Sequence, residues 1–341
     1  MKKIIRKFSL VLPVLLFLQS SLHAQDDNEN NNDNKKEKKY EFVKKKSVNK
    51  SYNVSSSDKL DIQNSFGSVE VHTWDRNEIK VDVNIEVSAN TDALAQKILD
   101  RISVTDAQSG KEISFKTNMK DINNGNGDKS TMEINYSISM PASNPLQIKN
   151  EFGKTIIPDY RGEVDLTSKF GKLETGNLGN VKNISVEFGK AKLGNISGGS
   201  LSIKYSGASI ARLSGNVKMN LEFSSKVSLG LDNNISGLDM KVSYSSVNIK
   251  PLGDLPASYA ISTSFGSFKN KTSVKFNSDE DDNTERGPKF DYEYSGRSGS
   301  GNIPVKVKSS FSTIILGDAT DEDWKDKEKH KNKSKTKSVS I

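Results

Sequence analysis

Lys154, Lys172 and Lys190 recur at intervals of 18 residues, each two places after a phenylalanine. If the chain repeats with that period, the three ammonium groups stack in one outward row. Such a row offers a surface binding ladder to an anionic glycan or a lipid head group. A neighbouring row, Glu151, Lys169, Glu187, Lys204 and Glu222, alternates in sign and would let the like charges beside it be tolerated. The acids Asp279, Glu280, Asp281 and Asp282, with Asn283 and Glu285, carry oxygens suited to Ca²⁺. Their spacing is not that of an EF-hand loop and no glycine stands at its turn position, so the 279–285 run reads as a solvated loop. His72 falls outward on a strand as a surface histidine, and Trp74 and Tyr160 read as turn packing rather than as a sugar platform. The glycine-rich 296–301 run lacks the lysine and the helix of a phosphate loop.

None of these sets is catalytic. The 341 residues contain no cysteine and three histidines, one of which, His23, lies in the leader. That removes disulfides, thiolate chemistry, cysteine zinc sites, a lipidated N-terminal cysteine and a multi-histidine metal centre, and leaves a Ser-His-Asp triad without a basis. No enzyme activity and no cofactor are expected. A polysaccharide-cleaving β-helix enzyme, which could work with carboxylates, Lys and Arg alone, is the weaker alternative, because no paired-acid constellation stands out and short turns leave little loop length for a cleft.

Net charge is +7 with 33% hydrophobic residues. Four of the 50 basic residues (Lys2, Lys3, Arg6 and Lys7) precede an apolar run from Phe8 to Leu18 and a small-residue exit at Ala24, the pattern of a signal peptide over residues 1–24. The remaining 46 basic against 43 acidic residues are too nearly balanced to drive nucleic-acid binding. No later segment is long and apolar enough to cross a membrane as a helix. The chain is therefore expected to be exported, to the periplasm, the cell surface or the medium. Residues 25–50 read as a disordered polar tether and 317–341 as a charged disordered tail, whose lysines from Lys325 to Lys337 would guard an open end.

The elements that must position the lysines come from an internal repeat. An aromatic followed by Gly or Ser recurs at Phe66, Phe152, Phe170, Phe188, Tyr205, Phe223, Tyr244, Phe265, Tyr294 and Phe311, with intervals from Phe152 onward of 18, 18, 17, 18, 21, 21, 29 and 17 residues. Upstream of each aromatic, apolar residues alternate, as at Leu146 and Ile148 or Val164 and Leu166, which is a half-buried strand. Downstream the phase slips by one, with apolar positions three and five after the aromatic (Ala191 and Leu193, Val247 and Ile249). A straight strand cannot do this, so the chain turns a corner at the small residue. At Phe223 the offsets are four and six, implying one extra residue. A third apolar contact follows at Leu178, Ile196, Leu213 and Leu252.

Strand, corner, strand and turn make one coil of about 18–21 residues. The fold class expected is all-β, a single-stranded β-helix-like β-solenoid over residues 146–316, in which the aromatics form one inward ladder with Phe170 buried against Phe188. Residues 51–145 hold longer strands (Ile79 to Val87, Ile113 to Lys116, Met132 to Met140) and one helix, Thr91 to Ile102, and are expected to cover the first coil. The last repeat, from Val305 to Leu316, is left without a cover.

The run Asn64-Ser65-Phe66-Gly67-Ser68-Val69-Glu70-Val71-His72-Thr73-Trp74 with Asn77, Ile79 and Val81, then a helix, then short Gly/Ser/Asn-punctuated strands, resembles the bacterial putative adhesin family of unknown function with β-strand repeats, including the head-GIN domain group. The resemblance covers residues 50–316. It implies an exported cell-envelope structural or binding protein with a β-helix-like fold and no established enzyme activity, and it transfers no functional residue. The partner expected is an envelope protein or an anionic glycan. A periplasmic partner in envelope sensing, docking through an exposed strand edge, is the alternative.

Overall fold

The computed structural model describes residues 40–121, 125, 127–279 and 290–324. The leader expected over residues 1–24, the acids from Glu280 to Glu285 and the lysines from Lys325 onward lie outside the described residues.

Among the described residues the fold is all-β with one α-helix, and the strands belong to one continuous sheet. Two sets of parallel ladders run through the repeats. Upstream of the aromatics they join β8 (Leu146–Glu151), β10 (Tyr160–Lys169), β12 (Leu178–Glu187), β13 (Lys190–Lys204), β14 (Gly207–Glu222) and β15 (Val227–Ser243) in order. Downstream they join β9 (Lys154–Ile157), β11 (Lys172–Thr175), then β13, β14, β15 and β16 (Ser246–Pro251). Equivalent positions of successive repeats pair directly, so each apolar inward position continues as a column. One such column is Ile62, Ile148, Leu166, Ile184, Leu201, Met219, Met240, Val307 and Ile261. Every member is buried. The third contact forms a column too, Tyr160, Leu178, Ile196, Leu213 and Leu231. Leu252, expected in it, is only half-buried, and Leu255 three residues on enters the core instead.

The N-terminal part contains β1 (Phe42–Asn53), β2 (Lys59–Ser65), β3 (Val69–Trp74), β4 (Glu78–Ala89), α1 (Asp92–Leu99), β5 (Ile102–Ser109), β6 (Glu112–Met119) and β7 (Ser130–Pro141). β2 lies between β6 and β8, and β3 between β7 and β9, all parallel, while β4 joins β7 and β1 antiparallel. Residues 42–50, assigned by composition to the polar tether, are therefore strand: Phe42, Val48 and Tyr52 pack against the core, and on the same face Lys44 pairs with Asp92 and Lys50 with Asp106. The helix is shorter than its apolar spacing implies. Thr91 caps it, its Oγ1 accepting from the Leu94 N–H at 3.2 Å, and it ends at Leu99; Ile102 reaches the core as the first residue of β5.

The C-terminal order departs from the sequence. β17 (Ala257–Ser264) and β18 (Ser267–Lys271) come first in the chain, then β19 (Phe276–Ser278) and β20 (Asp291–Arg297), and last β21 (Ile303–Ser310) and β22 (Thr313–Gly317). In space β21 is inserted between β15 and β17, and β22 between β16 and β18. The repeat from Val305 to Leu316, expected to be a bare end, is thus paired on both sides. The end is closed by β20 running antiparallel to β17, with β19 antiparallel to β20. Tyr294 belongs to this antiparallel cover, packed on Phe268, and not to the repeat aromatics.

Candidate functional site

Each corner is made the same way. Phe66, Phe152, Phe170, Phe188, Tyr205, Phe223, Tyr244, Phe265 and Phe311 all have φ between 49° and 63°, the left-handed region. A β-strand continuing past Val186 would place Phe188 on the inner face. The left-handed turn at Phe188 throws the ring to the outside and gives the inner corner to the next residue. The expected inward aromatic ladder is therefore corrected: the rings do stack on one another, but on the surface, nine rings from Phe152 to Phe290 being 44–52% exposed. The spatial order is Phe66, Phe152, Phe170, Phe188, Tyr205, Phe223, Tyr244, Phe311, Phe265 and Phe290, at centroid spacings of 4.7–5.1 Å. Up to Phe265 neighbouring planes lie within 8° of parallel, so ring faces cover one another and only ring edges meet water.

The inner corner is filled in two ways. At Gly153, Gly171 and Gly189 the backbones of successive repeats touch: a Cβ on Gly171 would lie 1.9 Å from the Gly153 carbonyl oxygen. Further along, Ser206, Ser224, Ser245 and Ser312 are buried. Each of these hydroxyls donates to the carbonyl two residues earlier, at 2.7–3.0 Å, and accepts an N–H from the preceding repeat, as Ser245 Oγ does from Ser224 N at 2.9 Å. The signal in the sequence was the Gly or Ser after every aromatic, since a ring and a buried small residue cannot both occupy the inside of one corner.

Two charged rows flank the stripe. Glu151, Lys169, Glu187, Lys204 and Glu222 stack as expected, with ion pairs Lys169–Glu187 at 2.9 Å and Lys204–Glu222 at 3.1 Å. The Glu187 carboxylate holds the Lys169 ammonium above its ordinary value. The row continues as Ser243, Ser310 and Ser264. On the other side the structure brings Lys154, Lys172 and Lys190 into direct register. Glu174 lies between the first two, 2.7 Å from each ammonium. Desolvation works against its charge, but the two lysines win and keep the carboxyl below the usual carboxylate range. Lys192 pairs in register with Glu174, so β9, β11 and the start of β13 present four lysines against one carboxylate, with Glu70 of β3 next in that row beyond Ile156. This row continues as Gly207 and, further on, as Ser246, Thr313 and Ser267.

The other candidates do not join this face. His72 is exposed, 3.7 Å from Glu70. Trp74 Nε1 donates to the Glu78 carbonyl at 2.8 Å and Arg76 covers the ring, which closes the turn between β3 and β4. Tyr160 is interior at 1% exposure, its hydroxyl donating to the Asn144 carbonyl at 2.6 Å, and burial pushes its pKa up. Asp279 accepts from the Glu293 N–H at 2.9 Å. A hollow of about 530 Å³ beside Lys250, Tyr259 and Lys271 has its cations matched, Lys250 by Asp318 and Lys271 by Asp323 at 2.7 Å. Among the described residues no three His, Asp or Glu side chains cluster closely enough to hold a metal ion, and no helix is long and apolar enough to cross a membrane.

The class defined by this geometry is an all-β protein of stacked parallel repeats with an external aromatic stripe. No family model matches the chain, and no curated protein does. Solved structures similar to it include a putative adhesin from Bacteroides fragilis (13% identity, 80% of this chain and 97% of that chain covered, TM-score 0.34). A putative cell adhesion protein from Clostridium sporogenes shares 13% identity over 80% of this chain and 99% of that one, with a TM-score of 0.22. A putative lipid binding protein from Parabacteroides distasonis shares 12% over 80% and 97%, with a TM-score of 0.35.

Proposed function

We propose that this chain is an exported, non-catalytic binding protein of the cell envelope, a β-solenoid over residues 146–316 whose first coil is covered by residues 51–145. The observation that carries the reading is the basic face of β9, β11 and β13, where Lys154, Lys172, Lys190 and Lys192 stand over a single carboxylate at the spacing of the ladder. Evenly spaced cations on a rigid sheet lose little entropy on meeting a regular polyanion, so the ligand class is an anionic glycan.

Dextran sulfate, whose charge does not titrate, is a suitable probe. The substitutions Lys154→Gln, Lys172→Gln and Lys190→Gln together are expected to weaken its binding about tenfold, or about 1.4 kcal/mol. Wild-type affinity should fall as salt shortens the screening length. Glu174→Gln should strengthen binding at neutral pH, because the carboxylate it removes is held ionised there. Equal binding by the triple variant, measured by isothermal calorimetry, or equal binding of neutral dextran, excludes the site. A panel of polysaccharides incubated with the chain should show no new reducing ends or unsaturated sugars.

A further inference from the structure

The geometry points to the aromatic stripe as a dimerisation face that receives a second copy of this chain, the two stripes antiparallel about a two-fold axis between Tyr205 and Phe223. Nine intervals of 4.7–5.1 Å give a stripe about 44 Å long. With nine of the rings about half exposed, its apolar area is roughly 900 Å² if a whole ring side chain presents about 200 Å². That exceeds the largest apolar patch of an ordinary monomer, roughly 300–600 Å². It matches the roughly 800 Å² that each partner buries in a standard interface.

Three observations select the occupant. The ring faces are covered by their neighbours, so a sugar has no face to stack on along the stripe. The stripe is one ring wide and Glu151, Glu187 and Glu222 border it, so sinking it into a bilayer would strip water from carboxylates. A partner that seats against every ring must itself repeat at the ladder spacing, and a second copy does so by construction.

The flanking rows fix the direction. Each is charged mainly in its first half and rich in hydroxyls in its second, and Lys226, the one cation in the second half of the lysine row, comes opposite Gly207 in the antiparallel pairing. In the antiparallel pairing Glu151, Lys169 and Glu187 face Ser264, Ser310 and Ser243 of the other copy, and Lys204 faces Glu222. On the opposite flank Lys154, Lys172 and Lys190 face Ser267, Thr313 and Ser246. None of these charges meets a like one. A parallel pairing would instead set Lys169 against Lys172. A two-fold interface uses the same patch twice, as this arrangement requires.

The chain without residues 1–24 should sediment at twice its monomer mass at micromolar concentration. Asparagine tolerates the left-handed corner, so Tyr205→Asn with Phe223→Asn keeps the turns and should give a monomer with unchanged far-UV dichroism. The lysine triple variant of the preceding section should remain dimeric, which separates the two readings. Because the chain has no cysteine, orientation can be read directly. A Glu187→Cys chain mixed with a Ser243→Cys chain should be joined by a short bis-maleimide, and neither chain alone should cross-link. A monomeric wild-type mass overturns the proposal, even if the stripe then captures vesicles or a polysaccharide, and so does a dimer that survives the double asparagine variant or cross-links only like with like.

Discussion

Gly171→Ala is expected to lower unfolding free energy by about 3 kcal/mol, the upper part of the range for overpacked sites. The added Cβ would lie 1.9 Å from the Gly153 oxygen and 3.1 Å from its nitrogen. Both are backbone atoms held in the ladder, so no rotamer change relieves the contact. Moving Gly153 away pushes it onto Gly67, because a Cβ on Gly153 would already lie 1.8 Å from the Gly67 oxygen. The control is Gly207→Ala, at the next residue of its own corner. There the nearest atom is the Ser225 oxygen at 3.7 Å, an ordinary contact, and alanine restricts the unfolded chain by about 0.4–1 kcal/mol. Urea melts should move the two midpoints in opposite directions or leave Gly207→Ala unchanged. Equal midpoints for the two variants would mean that the glycine corners do not touch.

The repeat was legible because its physics is additive. An inward residue must be apolar in every copy, so Ile148, Leu166 and Ile184 announce a column long before the strands are paired. The charge row from Glu151 to Glu222 was legible for the same reason, since like charges directly stacked would repel. The direction of the aromatics was not. Position parity put Phe188 with Val186 on the inner face, and parity holds only while φ stays negative. Left-handed backbone at a bulky residue costs about 1–2 kcal/mol and is rare enough that no local pattern announces it. Only the conflict with Ser206 or Ser224, small and polar yet followed by buried apolar residues, contained the answer.

The C-terminal order was hidden for a different reason. Columns of Val and Ile accept either neighbour equally well. Val305 and Val307 fit between Leu238 and Tyr259, or Met240 and Ile261, as readily as they would fit after them. What breaks the degeneracy is the antiparallel cover. β20 brings Tyr294 onto Phe268 and lets Phe276 pack on Phe268, and it occupies the outer edge of β17, leaving β21 only the inner one. Tyr294 with Ser295 has the aromatic–serine pattern of a repeat corner, but that pair does not encode which strand its own strand joins.

Ile184→Ala, Phe188→Ala and Phe188→Gly together measure which side of the sheet the aromatics occupy. Ile184 is fully buried between Leu166 and Leu201, and its truncation should cost about 4 kcal/mol through lost transfer energy and an unrelaxed cavity. Phe188 is 45% exposed and stacked on Phe170 at 5.0 Å and Tyr205 at 4.7 Å. Alanine there removes two ring contacts worth about 1 kcal/mol each beyond area burial, loses the burial of about half a side chain and keeps a left-handed residue, so about 3 kcal/mol is expected in the monomer. Glycine removes the same contacts but relieves the left-handed strain by about 1 kcal/mol, so Phe188→Gly should be the mildest of the three despite being the most radical truncation. An inward ring would reverse that order, because glycine would then open the larger cavity. Denaturant midpoints of the three variants, taken at concentrations low enough to keep each chain monomeric, distinguish the two placements, and a Phe188→Gly loss larger than that of Phe188→Ala would put the ring back inside.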